Sequence, residues 1–451
     1  MRVMVWAAVA LLGAAAASAQ VPELPMRDTE IAAPAMPRIP PLREQARIVD
    51  ANLRDRLETV IPELMREQGV AMWIVGAREY FEDPVTASML DAESFHARRR
   101  TILVFFDPGG GKPVERLTVS RYGLGGLFAP AWDPAKQPDQ WKAVADIVAA
   151  RDPKTIAVNT SDLSAFADGM THSQYLAFER ALPAKYRQRI VSGETLSVRW
   201  LETRTPAEMR LYPAIVRMAH SLIGEAFSRK VITPGKTTAD DVVWWYRQRM
   251  SQLGIATWFQ PSIGIQRQGA TGMLEGDTVI QPGDLLWTDF GITFLRLNTD
   301  TQHLAYVLKG GERAAPAGLR AGLAQTNRVQ DMLLTSFASG ASGNAVLAAA
   351  RAKTKAAGID ASIYSHPLGL HGHGAGSAIG FWDNQNGDER GAYAIRPNTT
   401  WSIELTSYLA VAEWGGQRVD FRAEEDAWFD GKTVHFLDGR QTELTLIPSG
   451  G

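Results

Sequence analysis

The sequence predicts a two-domain protein of mixed α/β class, in the wider sense that includes α+β, and three observations support this. The chain has 451 residues, which is more than a single hydrophobic core usually organises. Short apolar runs alternate with helical patterns over residues 42–195, as is typical of an α/β domain. A new helix-start signal then opens a second set of helices and strands, which we assign to a domain at residues 196–451.

Composition excludes several classes of function. The chain has 47 Lys and Arg residues and 49 Asp and Glu residues, which gives a net charge of −2. It therefore lacks the excess of basic residues that is typical of nucleic-acid-binding proteins. The chain has no cysteine, which excludes disulfides, cysteine-based zinc sites and a thiol nucleophile. Any metal must therefore be held by His, Asp or Glu.

The first residues predict export. Arg2 precedes an apolar run, Val3–Ala17, and Ala17-Ser18-Ala19 has the small-x-small pattern of a signal-peptidase site. We therefore read residues 1–19 as a signal peptide cleaved near Ala19, which gives a secreted or periplasmic protein; a retained N-terminal anchor is the alternative. Residues 20–41 are rich in proline and lack hydrophobic periodicity, and we interpret them as an extended linker.

The first domain, residues 42–195, begins with a helical pattern. It runs over Leu42–Gly69, and Pro62 is expected to kink or end it. Three apolar runs read as strands: Ala71–Val75, Thr101–Phe106 and Thr155–Val158. Two glycine-rich segments, Gly109–Lys112 and Gly123–Gly126, lack residues that a phosphate-binding loop requires, so we predict turns.

The second domain opens with a capping box at Thr205-Pro206-Ala207-Glu208. Another helix is predicted from Thr237 or Thr238 to Gly254, and two more at 316–338 and 344–357. The predicted strands are Leu285–Phe290, Gln302–Leu308, Ser402–Leu409 and Val419–Trp428.

Two aspartates flank a predicted hairpin in this domain. Asp289 and Asp300 are 11 positions apart. If the hairpin turns near Phe294-Leu295, the two carboxylates face each other on one side of the sheet.

Two glutamates flank a second predicted hairpin. A turn at Trp414-Gly415-Gly416 pairs Glu404 with Glu424. Four carboxylates on two strand pairs can then surround one cavity. Without cations they would repel one another strongly, so burying them together requires positive charge.

A nitrogen ligand is the natural complement to these carboxylates. Three of the eight histidines lie in Ser365-His366-Pro367-Leu368-Gly369-Leu370-His371-Gly372-His373. His366 and His373 are seven positions apart, so one could bind metal while the other contacts a substrate.

The order Asp, Asp, His, Glu, Glu resembles that of the pita-bread metallopeptidases (family M24), which include methionine aminopeptidase, Xaa-Pro aminopeptidase and prolidase, together with the metal-free creatinase. The 11-residue Asp spacing, the Ser365–His373 segment and Arg422-Ala423-Glu424-Glu425-Asp426 are similar to the family's motifs, over residues 285–428. The resemblance implies a pita-bread catalytic domain at 196–451, preceded by a creatinase-like domain at 42–195.

By this resemblance the site holds two divalent ions. The implied ligands are Asp289 on one ion, His366 and Glu404 on the other, and Asp300 and Glu424 bridging the two. Glu404 would also carry protons between the attacking water and the leaving amine, and His373 would stabilise the oxyanion. Mn²⁺ is the expected ion, and Co²⁺ or Zn²⁺ also suits these ligands.

The implied function is an exported dinuclear-metal peptidase that uses metal-activated hydroxide to hydrolyse the N-terminal peptide bond of short peptides, as Xaa-Pro aminopeptidases and prolidases do. Its partner is a short peptide, with no nucleic acid and no stable membrane anchor. Relatives are often dimers, which leaves a homodimer open.

Three departures from the family's motifs place strict Xaa-Pro specificity in doubt. A histidine expected on the substrate side falls near Gly272, and another is replaced by Ser362. The Asp-x-Thr-Arg motif reads Asp300-Thr301-Gln302-His303. His371 or His303 could compensate for the missing histidines, although a packing or surface role is the simpler interpretation of each.

Two other functions remain alternatives at this point. A metal-free amidine hydrolase of the creatinase kind shares the fold, but it has no need of all five ligands. A non-catalytic pita-bread protein that binds or scaffolds partners would explain the missing accessory groups.

Overall fold

The computed structural model describes residues 21–449. The predicted signal peptide at residues 1–19 lies outside this range, so cleavage and export stay predictions. Among the helices of the described range, none is both long enough and apolar enough to span a membrane.

The helices of the described chain begin largely where the sequence indicates. They are α1 (Leu42–Glu67), α2 (Pro84–Ser88), α3 (Gln140–Arg151), α4 (His172–Ala181), α5 (Ala184–Arg187), α6 (Glu194–Glu202), α7 (Pro206–Ala226), α8 (Ala239–Leu253), α9 (Ala317–Leu334) and α10 (Gly343–Ala356). Thr205 and Thr238 each form a capping box, which confirms both start signals. Pro62 lies inside α1 without ending it, because the buried face continues through Leu64 and Met65.

The N-terminal half contains a mixed sheet with apolar packing on both faces. Its strands are β1 (Met72–Arg78), β2 (Arg100–Phe106), β3 (Glu115–Thr118), β4 (Ala129–Pro130), β5 (Ile156–Val158) and β6 (Ile190–Ser192), in the order β4-β3-β2-β1-β5-β6. The three predicted strands are confirmed as β1, β2 and β5. Alternate residues of β1 face two hydrophobic clusters, one with α1 and α6 and the other with α3 and α4.

The C-terminal half is built from several small sheets. Its strands are β7 (Ser262–Gln266), β8 (Leu285–Phe290), β9 (Thr293–Phe294), β10 (Leu297–Asn298), β11 (Thr301–Val307), β12 (Ala361–Ile363), β13 (His366–Leu368), β14 (Thr399–Ser402), β15 (Leu405–Val411), β16 (Gln417–Ala423), β17 (Asp426–Phe429), β18 (Val434–Phe436) and β19 (Thr445–Ile447). The sheet orders are β19-β11-β8-β7, β12-β15-β16 and β13-β14-β17-β18, besides the β9–β10 hairpin. Helices α7 and α8 pack on the first sheet and α9 packs on the second.

Two of the predicted strands are each divided into two in the structure. Ser402–Leu409 breaks near Glu404, and Val419–Trp428 breaks near Glu424. Strand β14 pairs with β17, whereas β15 pairs with β16 in a different sheet. Each of these two segments therefore passes from one sheet to another at a glutamate that is predicted to bind metal.

The proline-rich segment before α1 forms no regular helix or strand over its described residues, and it is docked on the C-terminal half. Val21 is buried in the same hydrophobic cluster as α7. The Glu30 N–H donates to the Arg440 carbonyl oxygen at 3.1 Å, and the Arg27 guanidinium lies 3.3 Å from an Asp438 carboxylate oxygen. A part of the chain expected to act as a linker therefore packs as a part of the C-terminal half.

Two arginines hold the halves together. Arg56 of α1 is buried and lies 3.0 Å from the Glu208 carboxylate of α7. Arg296, at the tip of the β9–β10 hairpin, donates to the carbonyl oxygens of Leu90 and Asp91 at 2.5 and 3.1 Å. The hairpin that separates Asp289 from Asp300 is thus fixed against the N-terminal half.

We expect Gly291→Ala to destabilise the protein, because a Cβ at this position would lie 2.2 Å from the Thr299 carbonyl oxygen. Overpacking of this kind costs about 1–3 kcal/mol in the free energy of unfolding, measurable by urea denaturation. Gly310→Ala is the control, since no atom lies within 4 Å of its added Cβ, and its effect should stay within about 0.5 kcal/mol. Equal stability of the two variants would contradict the close approach at Gly291.

Candidate functional site

Asp289 and Asp300 lie on one face of the antiparallel pair formed by β8 and β11. Gln302, not Asp300, is the residue opposite Asp289 in this ladder. Continuing the register places Asp300 opposite Gly291. Residues two apart on a strand share a face, so the two aspartates are diagonal neighbours rather than a directly opposed pair.

This offset arises from the position of the turn. The sequence places it near Phe294-Leu295, whereas β9 and β10 are joined by Leu295 and Arg296, both in the left-handed region with φ of 51° and 68°. The prediction was therefore wrong by one residue. Tight hairpin turns with two positive φ angles usually carry glycine or asparagine, and this one is instead fixed by the contacts of Arg296 with the N-terminal half.

The second predicted hairpin is confirmed. Strands β15 and β16 pair from Val411↔Gln417 to Leu405↔Ala423. The next position in this register is Glu404 opposite Glu424, beyond the end of the ladder. Glu404 and Glu424 therefore lie side by side just beyond the end of the β15–β16 ladder, where each strand segment crosses to the neighbouring sheet.

His366 faces these carboxylates from the start of β13. Its Nε2 lies 3.6 Å from Asp300 Oδ2 and 3.9 Å from Glu424 Oε1. Its Nδ1 lies 3.0 Å from the Pro367 carbonyl oxygen. Donation from Nδ1 to that carbonyl leaves the Nε2 lone pair directed towards the carboxylates, the arrangement of a metal-ligating imidazole.

The five predicted metal ligands meet in one cluster. Three overlapping groups each have ligand atoms within 4.8 Å of one another. They are Asp289, Asp300 and Glu424; His366, Glu404 and Glu424; and Asp300, His366 and His373. One oxygen of Asp289, one of Asp300 and Nε2 of His366 are buried without a hydrogen-bond partner in the described chain. Unpaired buried acceptors around one point fit divalent cations.

Burial and mutual repulsion make the carboxylates poor anions without such cations. Burial raises the pKa of Asp289 to about 7 and, with the charge of Asp289, that of Glu404 to about 8. Burial and the neighbouring carboxylates raise the pKa values of Asp300 and Glu424 well above their ordinary range. Burial also lowers the pKa of the His366 imidazole to about 3, which keeps it neutral.

Gln302 supports the cluster in a way that the sequence alone did not reveal. Its amide nitrogen donates to Glu404 at 2.9 Å and to Glu424 at 2.7 Å. The indole N–H of Trp287 donates to the Gln302 amide oxygen at 2.9 Å, which fixes the direction of the amide. The only sequence signal was the departure from the Asp-x-Thr-Arg pattern, where Gln302 stands in place of threonine. Ser402, also missed, donates its hydroxyl to Glu424.

A cavity of about 260 Å³ adjoins the cluster. His366 and His373 line it from the C-terminal half, together with Tyr364 and Phe381, and residues 163–166 line it from the N-terminal half. The His373 ring is edge-on to His366, with centroids 4.7 Å apart, and the cavity lies beside both. This is a place where a small ligand can reach the cluster from solvent.

Neither histidine that could have compensated for the departures joins the cluster. His371 packs beside Phe166, with ring centroids 5.2 Å apart, and its Nδ1 lies 2.7 Å from the His373 carbonyl oxygen. His303 instead pairs with Glu425 at 3.0 Å. Ser362 lies within hydrogen-bonding distance of Tyr408, at 3.1 Å. The site therefore lacks the extra histidines rather than supplying them from elsewhere.

Comparisons with known proteins bear on the family and the fold of this chain. Residues 214–425 match the family model of metallopeptidase family M24. No curated protein sequence matches the chain significantly.

Solved structures show the same fold at low sequence identity. X-Pro aminopeptidase from Thermotoga maritima superposes with a TM-score of 0.61 at 15% identity, over 85% of this chain and 99% of that one. Xaa-Pro dipeptidase from Bacillus anthracis gives 0.56 at 14%, over 90% and 100%. Prolidase from Pyrococcus horikoshii gives 0.55 at 12%, over 89% and 99%. These likenesses confirm the mixed α/β pita-bread fold expected from the sequence.

We expect the chelated, metal-free protein to lose stability as pH rises from about 5 to 8. Unfolded Asp and Glu have pKa values near 4, so between these limits the folded state binds more protons than the unfolded state. A raised pKa on a carboxyl group therefore destabilises the fold once pH exceeds the unfolded value. A shift of three units corresponds to on the order of 4 kcal/mol for one group. Urea denaturation in the presence of chelator at each pH measures the effect.

Asp300→Asn is the matched variant for this measurement, because it removes one carboxylate at nearly constant volume. The metal-free variant should be more stable than the metal-free parent at pH 8 and should depend less on pH. A parent protein whose metal-free stability rises from pH 5 to 8 would rule out raised pKa values in the cluster.

Proposed function

Since its C-terminal half belongs to metallopeptidase family M24, this chain is a metallopeptidase, and we propose that it is an exported, dinuclear-metal exopeptidase. Its substrates are short peptides, from which it removes the N-terminal residue in the manner of Xaa-Pro aminopeptidases or prolidases. The metal ligands are Asp289, Asp300, His366, Glu404 and Glu424, and Mn²⁺ is the favoured ion because oxygen ligands dominate.

One observation carries this proposal. Four carboxylates and a neutral imidazole converge beside a cavity. Asp289, Asp300 and His366 each keep a buried atom without a hydrogen-bond partner in the described chain. A non-catalytic scaffold or a metal-free amidine hydrolase has no use for this combination, since the carboxylates repel one another without cations. When bound, divalent ions supply acidification of a water and polarisation of the scissile carbonyl.

The chain's own residues supply proton transfer and orientation. Glu404 is the less enclosed of the two glutamates, and it is suited to accept a proton from the attacking water and pass it to the leaving amine. Gln302 holds Glu404 and Glu424 in place. His373, exposed to the cavity and neutral because burial lowers its pKa, can donate a hydrogen bond to the oxyanion of the tetrahedral intermediate.

The adjoining cavity suits a small apolar residue followed by a carboxylate. Tyr364 and Phe381 stack with ring centroids 5.4 Å apart and form an aromatic wall, against which a proline ring can pack. Arg390, at the same cavity, stacks over Phe381 with its guanidinium 3.5 Å from the ring centroid. Asp388 lies 2.6 Å from this guanidinium, and the N–H groups that Asp388 does not occupy can bind the terminal carboxylate of a dipeptide.

We expect His373→Ala to lower kcat by about 10²–10³-fold, the usual cost of losing an oxyanion donor, with the bound metal unchanged. His366→Ala should instead lose both metal and activity, because it removes the nitrogen ligand. Metal content by mass spectrometry, measured beside kcat, separates the two. Loss of metal in His373→Ala would assign His373 to the ligand set instead.

Arg390→Ala tests how substrates are anchored. We expect KM for dipeptides to rise at least about tenfold, as follows from losing a charge-assisted hydrogen bond. KM for the same peptides with an amidated C-terminus should be unchanged, because they carry no carboxylate. Equal effects on both substrates would exclude carboxylate binding by Arg390.

A peptide panel tests the proposed activity itself. The mature chain, loaded with Mn²⁺, is offered dipeptides and longer peptides with and without proline in the second position, and free N-terminal residues are measured. Release from at least one class supports the proposal, and the preferred class identifies aminopeptidase or dipeptidase specificity. Release from no peptide, with metal bound, would exclude an exopeptidase.

A further inference from the structure

A second cluster of metal-ligating side chains lies behind the candidate active site. It contains His220 of α7, His303 of β11 and Glu425, all almost fully buried. None of these three residues belongs to the five-ligand set. Because neighbouring residues of an extended chain point to opposite faces, Glu425 is directed away from Glu424 and its cavity.

The distances within this cluster match the edges of a small coordination sphere. Glu425 Oε2 lies 3.3 Å from His220 Nε2, and Glu425 Oε1 lies 3.0 Å from His303 Nε2. Glu30, from the segment before α1, approaches His303 Nε2 to 3.6 Å. Ligands held about 2.0–2.1 Å from a tetrahedral zinc ion are separated by about 3.4 Å from one another.

Two buried atoms of the cluster have no hydrogen-bond partner in the described chain. His220 Nε2 and Glu425 Oε2 are close, yet they lack the alignment of a hydrogen bond, and both are buried without a partner in the described chain. Unpaired buried polar atoms are rare in folded proteins. A cation between them would satisfy both.

The outer contacts of His220 are those of a metal-ligating histidine. Its Nδ1 lies 3.0 Å from an Asp438 carboxylate oxygen, which directs Nε2 towards Glu425 and favours the tautomer that binds metal. Asp438 is itself held by Arg217, at 2.6 Å, and by Arg27, at 3.3 Å. Its charge is therefore matched by arginines, whereas the carboxylates of Glu30 and Glu425 face the imidazoles of His220 and His303, with which they can share a cation.

We propose that His220, His303, Glu425 and Glu30 form a structural Zn²⁺ site that fastens the segment at residues 21–41 to the C-terminal half. Two imidazoles and two carboxylates in a closed, buried site suit Zn²⁺. Glu30 is the only ligand from the segment before α1, so the ion joins this segment to α7, β11 and the end of β16. The site is independent of the peptidase assignment.

Zinc counting in the full chain tests this proposal. Asp300→Asn with His366→Ala disables the active-site cluster, so any remaining Zn²⁺ belongs elsewhere. After chelation and reloading with Zn²⁺, this background should retain one zinc per chain, and adding His220→Gln should remove it. Absence of zinc in the background, or zinc that persists after His220→Gln, would overturn the site and leave an ion-pair network.

Glu30→Gln provides a milder test should His220→Gln fail to fold. Its Zn²⁺ affinity should fall at least about tenfold. Glu23→Gln is the matched control, since Glu23 lies in the same segment and pairs with the exposed Arg210, at 3.5 Å; its affinity should not change. Equal affinities for the two variants would exclude Glu30 as a ligand.

Limited proteolysis gives a readout independent of metal counting. With zinc bound, Arg27 and Arg38 should resist trypsin, and chelation should speed cleavage at both sites several-fold. The Glu23→Gln variant should respond as the parent does. Cleavage rates that do not change on chelation would contradict a fastening role for the ion.

Discussion

The burial of four carboxylates around one imidazole is the constraint on which the C-terminal half depends. Each carboxylate loses hydration on burial, and each raises the energy of its neighbours. Asp289, Asp300, Glu404 and Glu424 are nevertheless brought together, and one oxygen of each aspartate is buried without a hydrogen-bond partner in the described chain. The backbone must therefore be rigid enough to hold these carboxylates close together, and bound divalent ions would offset their mutual repulsion.

The required rigidity comes from where the ligands sit in the backbone. Asp289 and Asp300 flank a hairpin whose tip is fixed to the N-terminal half through Arg296. Glu404 and Glu424 lie where two strand segments cross from one sheet to the next, so neither residue can move without disturbing both sheets. Gln302 of β11 connects the two aspartates with the two glutamates. It lies opposite Asp289 and two residues after Asp300, and its amide donates to both glutamates. The active-site geometry is therefore a property of several sheets rather than of one loop.

Local sequence signals identified most of the elements and the five side chains of the cluster, which we propose as metal ligands. Capping residues located the starts of α7 and α8, and the order of acidic residues and histidines located the cluster. The turn at Leu295-Arg296 was predicted one residue too early, because it contains no glycine or asparagine that would mark it. Tertiary contacts of Arg296 determine its position instead. The strand breaks at Glu404 and Glu424 could not be predicted either, because the residues on both sides of each break have strand-like composition. Gln302, His220 and Glu30 act through partners distant in sequence, which periodicity and spacing cannot report.

Packing of the segment before α1 shows how far such long-range contacts extend. Its proline content indicated a segment without regular secondary structure, yet composition does not report which surface such a segment packs against. Val21 is buried against α7, and Arg27 and Glu30 contact the residues that follow β18. The N-terminal segment is thereby close to the residues that follow Glu424, and it contributes to the support behind the active site.

The most direct measurement is a crystal structure of the Mn²⁺-loaded protein with anomalous diffraction recorded at the manganese edge. The account predicts two anomalous peaks about 3.5–4 Å apart, enclosed by Asp289, Asp300, His366, Glu404 and Glu424. A single peak, or none between these five side chains, would contradict it.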